Sequence, residues 1–291
     1  MVLNISKKAL KIIEKMQQNE LTESVIYREI AAFCKGEENK KTLLRLSAEE
    51  EAHYNIWKGY TKKELKVQKF KVWKFKMLAR ILGFTFAVKL MENGEEAAQD
   101  EYEFLLGEVP ESEGIRKQEE EHEKALLEIL DEERLHYVGS MVLGMNDALV
   151  ELTGSLAGFT FAMQNTRLIA LSGLIMGISA TFSMASSEFL AAKSEGRSDA
   201  FKSCTYTGIA YLITVAALIL PYLLLENYIV ALVCMLLAVI LIIAGFTYYI
   251  SVAQGEKFRP KFLEMSAISI GVAIVSFFVG ILAKMFLGVD L

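Results

Sequence analysis

The stretch from Arg116 to Gln164 reads RKQEEEHEKALLEILDEERLHY and then, without a break, VGSMVLGMNDALVELTGSLAGFTFAMQ. The first half places Glu119 and His122 three residues apart, which is one turn on one face of a helix and a spacing used by metal-binding bundles. The second half places Asp147 and Glu151 in apolar sequence, four residues apart on one side of a helix. Because an ionisable group inside a membrane span is costly, metal chemistry and membrane passage are predicted to meet in this segment.

The charged residues divide the chain into two parts. Residues 1–136 hold 50 of the 67 Lys, Arg, Asp and Glu residues, so the last 155 residues are mostly apolar. We therefore predict a boundary near His136, with a first domain at 1–134 and a membrane domain at 135–291. The net charge of −5 does not indicate a nucleic-acid partner, and three cysteines without metal-type spacing indicate neither a zinc site nor a disulfide framework.

Apolar periodicity in the first domain predicts a short helix at 5–18 and four bundle helices, at 22–35, 38–60, 77–106 and from Pro110 onward. Candidate metal ligands occur on each bundle helix in turn: Glu29; Glu50 and His53; Glu92 and Glu95; Glu119 and His122. Glutamate-rich sequence can produce one Glu-x-x-His by accident, but two of the three histidines fall in this motif on alternate helices. The pattern predicts a metal site in a four-helix bundle, and its mixed donors favour iron or manganese over structural zinc.

At these residues the first domain resembles the rubrerythrin branch of the ferritin-like superfamily, over about residues 20–134. The resemblance implies a di-iron centre whose ligands are the seven residues Glu29, Glu50, His53, Glu92, Glu95, Glu119 and His122. No Cys-x-x-Cys rubredoxin module follows, so the electron-transfer arm of full rubrerythrins is missing, which argues against a peroxidase role.

Residues 61–76 alternate lysines with apolar residues, namely Leu65, Val67, Phe70, Val72, Trp73 and Phe75. This pattern is typical of a solvated linker or helix whose lysine side chains extend past apolar neighbours. It is also typical of a segment that lies at the cytoplasmic membrane surface. The sequence leaves both interpretations open.

Five apolar segments follow, each long enough to cross a bilayer: 138–163, 168–192, 204–225, 228–252 and 263–287. The N-terminus lacks the apolar region of a signal peptide, which predicts that the first domain stays in the cytoplasm. Basic residues then collect on the cytoplasmic side, with Arg197 in one loop and Lys257 in another, and the C-terminus lies outside. The predicted fold class is all-α, a cytoplasmic ferritin-like four-helix bundle followed by a five-helix transmembrane domain.

The first two of these segments carry candidate pathway residues. Asp147 and Glu151 lie in GMNDALVELTGSLAG, and Met184 lies in GLIMGISATFSMASSEFLAAKSE. Close helix packing explains the small residues, and a methionine in a span is most often filler, but neither explains a buried aspartate. A thioether beside a carboxylate favours a transition ion over calcium or magnesium.

These motifs resemble the vacuolar iron transporter family over residues 137–287. The resemblance implies that Asp147 takes part in ion and proton passage and that Met184 is a pore ligand. Plant-type members carry acidic residues where this chain has Ser140 and Met176, and an acidic helical domain where it has only the loop 194–203. The first domain is therefore interpreted as a replacement for that metal-gathering domain.

The joint architecture resembles the membrane-bound ferritins. It implies a transporter in the cytoplasmic membrane that exports Fe(II), with Mn(II) as an alternative ion, in exchange for protons, with Glu151 as a relay partner of Asp147. The bundle is expected to collect iron and to oxidise it. An odd number of spans favours a homodimer with the pathway at its interface. Two alternatives stay open: a membrane-anchored di-iron oxidase or peroxidase, and an iron sensor or storage protein.

Overall fold

The structure is a computed structural model that describes residues 5–34, 36–96, 104–128, 137–255 and 257–287. All regular secondary structure among these residues is helical, which confirms the predicted all-α class. The chain divides into two compact units, Met1–Glu133 and Arg134–Leu291, called unit 1 and unit 2 below.

The described helices of unit 1 are α1 (Lys7–Ala31), α2 (Glu37–Thr61), α3 (Lys69–Leu82), α4 (Phe84–Glu96) and α5 (Glu111–Glu128). α1 and α2 form the most extensive helix pair, and α3 packs against α1 and α4. α5 packs against α2 and α4.

The helices predicted at 5–18 and 22–35 are in fact one continuous helix, α1. Thr22, at which the second of them was predicted to begin, donates its hydroxyl to the backbone oxygen of Gln18 at 2.8 Å, as threonines do inside helices. The true N-terminal cap is Ser6, whose Oγ accepts a hydrogen bond from the Ala9 nitrogen at 3.1 Å. Neither glycine nor proline occurs between Lys7 and Ala31, so nothing in the backbone ends the helix at its polar middle.

The helix predicted at 77–106 begins earlier than expected and is interrupted. α3 begins at Lys69, inside the lysine-rich segment, and ends before Gly83. Gly83 has a φ of 102°, a conformation in which a side chain would be strained, so glycine permits the break at this position. α4 continues from Phe84 to Glu96, and residues 97–103 of the predicted helix lie outside the described part of the chain.

The interior of unit 1 has a polar layer between two apolar layers. One apolar layer consists of Ala9, Ile13, Met16, Trp57, Leu105, Val109 and Ile115. The other consists of Ile26, Tyr27, Ile30, Ala31, Leu43, Leu46, Phe75, Ala79, Ala87, Val88 and Met91. The buried polar side chains that lie between them along α1 and α2 are Gln17, Glu20, Thr22, Glu23, Ser24, Ser47, Glu50 and His53. Burying polar groups costs free energy unless they are paired, so this layer is a candidate functional site.

The described helices of unit 2 are α6 (Val138–Met163), α7 (Thr166–Ser194), α8 (Ala200–Leu224), α9 (Tyr228–Gln254) and α10 (Phe258–Leu287). α6 packs against each of the other four, so it is the central helix. Its apolar core partners include Tyr211, Leu218, Met235 and Val239, all fully buried. α6 therefore has more of its surface covered by protein than a peripheral span would have.

Four helices of unit 2, α7 to α10, are long and apolar enough to cross a membrane, which makes the chain a multi-pass membrane protein. α6 is not among them, because Asn146, Asp147 and Glu151 lower its mean hydropathy. Of the five predicted spans, four are thus supported by length and composition. The fifth, α6, stays a prediction, and a span there would need its neighbours to shield its polar residues from lipid.

Small residues let α6 lie directly against the helices around it. A Cβ added to Gly280 of α10 would lie 2.6 Å from the carbonyl oxygen of Gly158, so the two backbones already touch there. A Cβ added to Gly144 would lie 2.6 Å from the carbonyl oxygen of Thr207 on α8. These contacts agree with the packing role expected from the small residues of this segment.

Candidate metal centre

Five side chains from three helices of unit 1 converge in the polar layer: Glu20 of α1, Glu50 and His53 of α2, and Glu119 and His122 of α5. Potential ligand atoms of Glu20, Glu50, His53 and Glu119 all lie within 4.8 Å of one another. The two imidazole rings are buried and stack with their centroids 5.6 Å apart. The Glu-x-x-His spacing places each acid and its histidine on one helix face, so two helices suffice to bring four of these groups together.

Glu50 and Glu119 each face both histidines. Glu119 Oε1 lies 3.0 Å from His53 Nδ1, and its Oε2 lies 3.4 Å from His122 Nδ1. Glu50 repeats the pattern, with Oε2 at 3.5 Å from His53 Nδ1 and Oε1 at 3.1 Å from His122 Nδ1. Each carboxylate therefore offers one oxygen beside each imidazole.

The other nitrogen of each imidazole contacts the opposite helix. His53 Nε2 lies 2.8 Å from Gln118 Oε1 on α5, and His122 Nε2 lies 2.8 Å from Glu49 Oε2 on α2. Gln118 and Glu49 immediately precede Glu119 and Glu50 in the chain, so the two helices repeat the same arrangement. Because an amide oxygen only accepts, His53 donates from Nε2 to Gln118, and its Nδ1 therefore faces the carboxylates.

Five buried atoms of this region make no well-aligned hydrogen bond to a described residue: Glu49 Oε2, Glu50 Oε2, His53 Nδ1, Glu119 Oε1 and His122 Nε2. They face one another instead, with His122 Nε2 2.8 Å from Glu49 Oε2 and His53 Nδ1 3.0 Å from Glu119 Oε1. Buried polar atoms that crowd together without well-aligned hydrogen bonds are unfavourable for the protein alone. Carboxylate and imidazole lone pairs are ligands for a divalent cation, which would satisfy several of these atoms together. The residues present therefore fit a divalent transition-metal ion.

The cluster is enclosed on one side and open on the other. The side chains of His53 and Glu50 are 1% and 3% exposed, whereas those of Glu119 and Glu49 are 18% and 34% exposed. A site that reaches solvent through partly exposed ligands allows ions to enter and leave, unlike a closed structural zinc site.

The carboxylates change the pKa of both histidines. Burial by itself lowers an imidazole pKa, but hydrogen bonding to Glu119 and Glu50 raises the pKa of His122 to about 10. The same two acids and Glu20 raise the pKa of His53 well above its ordinary value, against the effect of burial. Burial, together with repulsion from Glu50, raises the pKa of Glu20. Protons therefore compete with a metal ion for this cluster.

Four of the seven residues predicted as metal ligands lie in the cluster, namely Glu50, His53, Glu119 and His122. Glu29 does not lie there: its side chain is 41% exposed and pairs with Lys76 Nζ. The side chains of Glu92 and Glu95 lie outside the described residues, although both positions belong to α4, which packs against α5.

Glu20 takes part in the cluster although the sequence analysis did not identify it. The polar run QQNELTES around it was interpreted as the end of one helix and the start of the next. On the continuous helix, Glu20 and Glu29 are nine residues apart, which is about two and a half turns, so they point to opposite sides. The available signal was the periodicity: buried side chains recur at helical spacing straight through the polar run, at Ile13, Glu20 and Tyr27.

The predicted pathway residues of unit 2 lie on α6 and α7. Tyr211 of α8 donates its hydroxyl to Glu151 Oε2 at 2.6 Å, whereas Asp147, one turn earlier, is exposed on the single chain. The neighbouring Asn146 Oδ1 is buried without a hydrogen-bond partner. Met184 is half-buried on α7, which packs against α6. Oxygen and thioether donors are therefore present on two adjacent helices.

A further polar cluster, which the sequence analysis did not identify, joins α6, α7 and α8. Glu188 is 8% exposed, and its Oε1 accepts hydrogen bonds from Ser140 Oγ at 2.9 Å and Ser203 Oγ at 2.5 Å. Arg197 lies 3.9 Å from the same oxygen and 3.2 Å from Asp199, and this contact lowers the pKa of Asp199. A cavity of about 440 Å³ opens beside these residues. Serines and a glutamate near a helix end are common at surfaces, so only the fold shows that they converge.

Residues 138–200 match the model of the VIT family. The matched part contains α6, α7 and the loop that follows, and includes Asp147, Glu151, Met184 and Glu188. No curated protein and no solved structure matches the chain. Together with the four apolar helices, the match indicates a membrane domain of the VIT type.

Proposed function

We propose that the chain is a membrane transporter that moves Fe(II), with Mn(II) as a second substrate, out of the cytosol in exchange for protons. The observation that carries the proposal is the VIT family match across the helix that bears Asp147 and Glu151. That helix is central in a unit whose other described helices are apolar. Because acids are costly at such a position, an ion pathway accounts for them better than packing does.

The two acids of α6 suit an exchange of metal for protons. A carboxylate in apolar surroundings favours its protonated form, whereas a bound Fe(II) ion favours the ionised form. Glu151 has a fixed donor in the Tyr211 hydroxyl, while Asp147 is exposed on the single chain and can reach an ion. In the proposal Asp147 binds the ion, Glu151 relays protons, and Met184 adds a soft ligand that favours transition metals.

Unit 1 has the role of an iron-collecting domain of the ferritin-like, rubrerythrin type in this proposal. Glu20, Glu50, His53, Glu119 and His122 would hold the iron. Iron bound there would supply redox chemistry. The protein contributes the excess of negative charge, the oriented His53 and the side open to solvent.

The proposed assembly is a homodimer in the cell membrane, with unit 1 in the cytoplasm and the C-terminus outside. The exposure of Asp147 on the single chain supports a pathway completed by a second copy. The loop positions Arg197 and Lys257 would both face the cytoplasm. Cysteine labelling at position 257, in a background lacking Cys34, Cys204 and Cys234, tests the orientation, and labelling from outside would contradict it.

The central experiment measures metal and proton flux in liposomes that contain the full-length protein and a pH-sensitive dye. Wild-type protein is expected to carry metal in one direction and protons in the other. Asp147→Asn should abolish both fluxes while unit 1 still binds iron, because the pathway loses its exchangeable carboxylate. Glu226→Gln is the matched control, since this exposed acid lies in the loop between α8 and α9 and should leave flux unchanged.

A membrane-anchored di-iron oxidase is the second candidate, and the open carboxylate and histidine cluster of unit 1 is the observation that favours it. An oxidase needs no acid on α6. If Asp147→Asn transported normally, this candidate would replace the transporter. A variant lacking residues 1–134 separates the two further: the transporter should still conduct at high metal concentration but weaken when metal is scarce, whereas an oxidase should lose its activity entirely.

A further inference from the structure

α3 of unit 1 exposes an apolar stripe along one side. Phe70, Trp73 and Ile81 are 75%, 58% and 63% exposed, and Met77 lies half-buried between them. The four residues follow one another at spacings of three, four and four, so they share one helix face. We call this face the α3 stripe. The opposite face of the helix points into the core of the unit through Phe75 and Ala79.

The α3 stripe is unusual within its own unit. Its three exposed members are the most exposed large apolar side chains among the described residues of unit 1, where the next are leucines at 42%. Phe70 and Trp73 also stack, with ring centroids 5.9 Å apart, so they form one continuous apolar surface. Contiguous exposed apolar surface of this kind marks an interaction site more often than isolated exposed residues do.

The charge around the stripe indicates what covers it. Residues 62–80 hold eight basic residues and one acidic residue, in a chain whose net charge is −5. Lys71 and Lys76 are used inside the unit, where they pair with Glu23 and Glu29. Lys69 and Lys74 are exposed and flank the stripe, so its border is positive.

We propose that the α3 stripe docks on the anionic lipid surface of the membrane that the chain spans. Tryptophan and phenylalanine prefer the boundary between headgroups and acyl chains, and lysines beside them reach the lipid phosphates. A second copy of the same face is a poor partner, because it would bring two basic borders together. The positive border instead complements an anionic leaflet. This docking does not require metal transport, so the lipid-binding proposal can be tested separately from the proposed function.

Trp73 itself reports the contact, because the only other tryptophan, Trp57, is fully buried. The full-length protein is placed in nanodiscs of phosphatidylcholine, with or without about one third phosphatidylglycerol. Lipids brominated on the acyl chains quench a tryptophan that reaches the apolar boundary, and acrylamide quenches one that faces water. Subtracting the signal of Trp73→Ala isolates Trp73.

In anionic discs, brominated lipid should quench most of the Trp73 emission, and acrylamide should have little effect. The double variant Lys69→Glu and Lys74→Glu should lose at least half of the lipid quenching, while Leu44→Ala, an exposed apolar residue of α2, should retain it. Trp73 open to acrylamide and untouched by brominated lipid would overturn the proposal. Equal quenching by brominated lipid in discs without phosphatidylglycerol would also overturn it, because the lipid charge would then not select the surface. Protection of Trp73 from acrylamide that rises with protein concentration would do the same, because a second copy would then cover the stripe.

Discussion

His53 donates a hydrogen bond from Nε2 to Oε1 of Gln118 at 2.8 Å, across two helices that each carry their own Glu-x-x-His segment. The residue that precedes Glu119 therefore orients the histidine of the α2 segment. Glu49, which precedes Glu50, lies in the corresponding place, with its Oε2 2.8 Å from His122 Nε2. The orientation of each imidazole ring thus depends on a residue of the other segment.

Gln118→Ala should weaken metal binding about 10- to 100-fold at unchanged stoichiometry, because His53 loses the acceptor that fixes its tautomer. Competition with a chelator measures the affinity. Lys117→Ala is the control, since among the described residues the side chain of this neighbour forms an exposed ion pair with Glu113. Equal affinity in the two variants would mean that Gln118 does not orient the ring.

Glu20→Gln should lower the amount of metal bound to purified protein, whereas Glu29→Gln should not. Glu20 lies 3.7 Å from His53 Nδ1 in the buried cluster, while Glu29 pairs with Lys76 on the opposite side of α1. Metal content by atomic emission compares the two. If only Glu29→Gln lowered the amount of bound metal, Glu29 would be a metal ligand, as expected from the sequence, and Glu20 would not.

Metal binding should release protons and should strengthen as pH rises. The pKa of His122 is raised to about 10 and that of His53 is raised as well, so both rings are protonated near neutral pH before a metal binds. A metal can take Nδ1 only after its proton leaves, so each released proton changes the apparent affinity about tenfold per pH unit below the raised pKa. The affinity therefore falls as pH falls. Calorimetry in two buffers of different ionisation enthalpy measures the release, and identical heats would contradict it.

Tyr211→Phe should reduce metal flux several-fold without unfolding unit 2, because Glu151 loses the donor that holds its Oε2 at 2.6 Å. Tyr222→Phe provides a matched control. Its hydroxyl lies 2.7 Å from Thr160 Oγ1, so it joins the same two helices without touching an acid. If both variants lowered flux equally, the effect would come from helix packing and not from Glu151.

Gly280→Ala should destabilise unit 2 by about 1–3 kcal/mol, because its new Cβ would lie 2.6 Å from a backbone oxygen that cannot rotate away. Thermal unfolding in detergent should show a lower Tm. Gly271→Ala, on the same helix, meets nothing within 4 Å and should leave Tm unchanged or slightly higher. A similar decrease of Tm in both variants would mean that the close contact of Gly280 with Gly158 is not the cause.

The sequence was sufficient for properties that depend on one helix at a time. Helical class follows from periodicity, and the pairing of Glu50 with His53 follows from a spacing within one turn. Whether Glu20 or Glu29 faces the carboxylate and histidine cluster depends on whether α1 is continuous, because a break in the helix would change the direction in which each side chain points. The contact of Gln118 with His53 depends on the rotation and depth of α5 against α2, which no single-helix pattern contains. Likewise, the sequence of α6 alone does not explain its low hydropathy, whereas its packing against the four other helices of unit 2 does.

The central position of α6 sets a condition on how the protein is made. α6 leaves the ribosome before any of the four helices that pack against it. Gly280, which contacts Gly158 of α6, lies on the last of these helices, α10. A membrane-spanning α6 would therefore have to wait in the translocon or in lipid while about a hundred further residues are added. We accordingly expect insertion of this unit to be sensitive to the pace of translation between α6 and α10, because a chain cut short before α10 leaves one side of α6 uncovered.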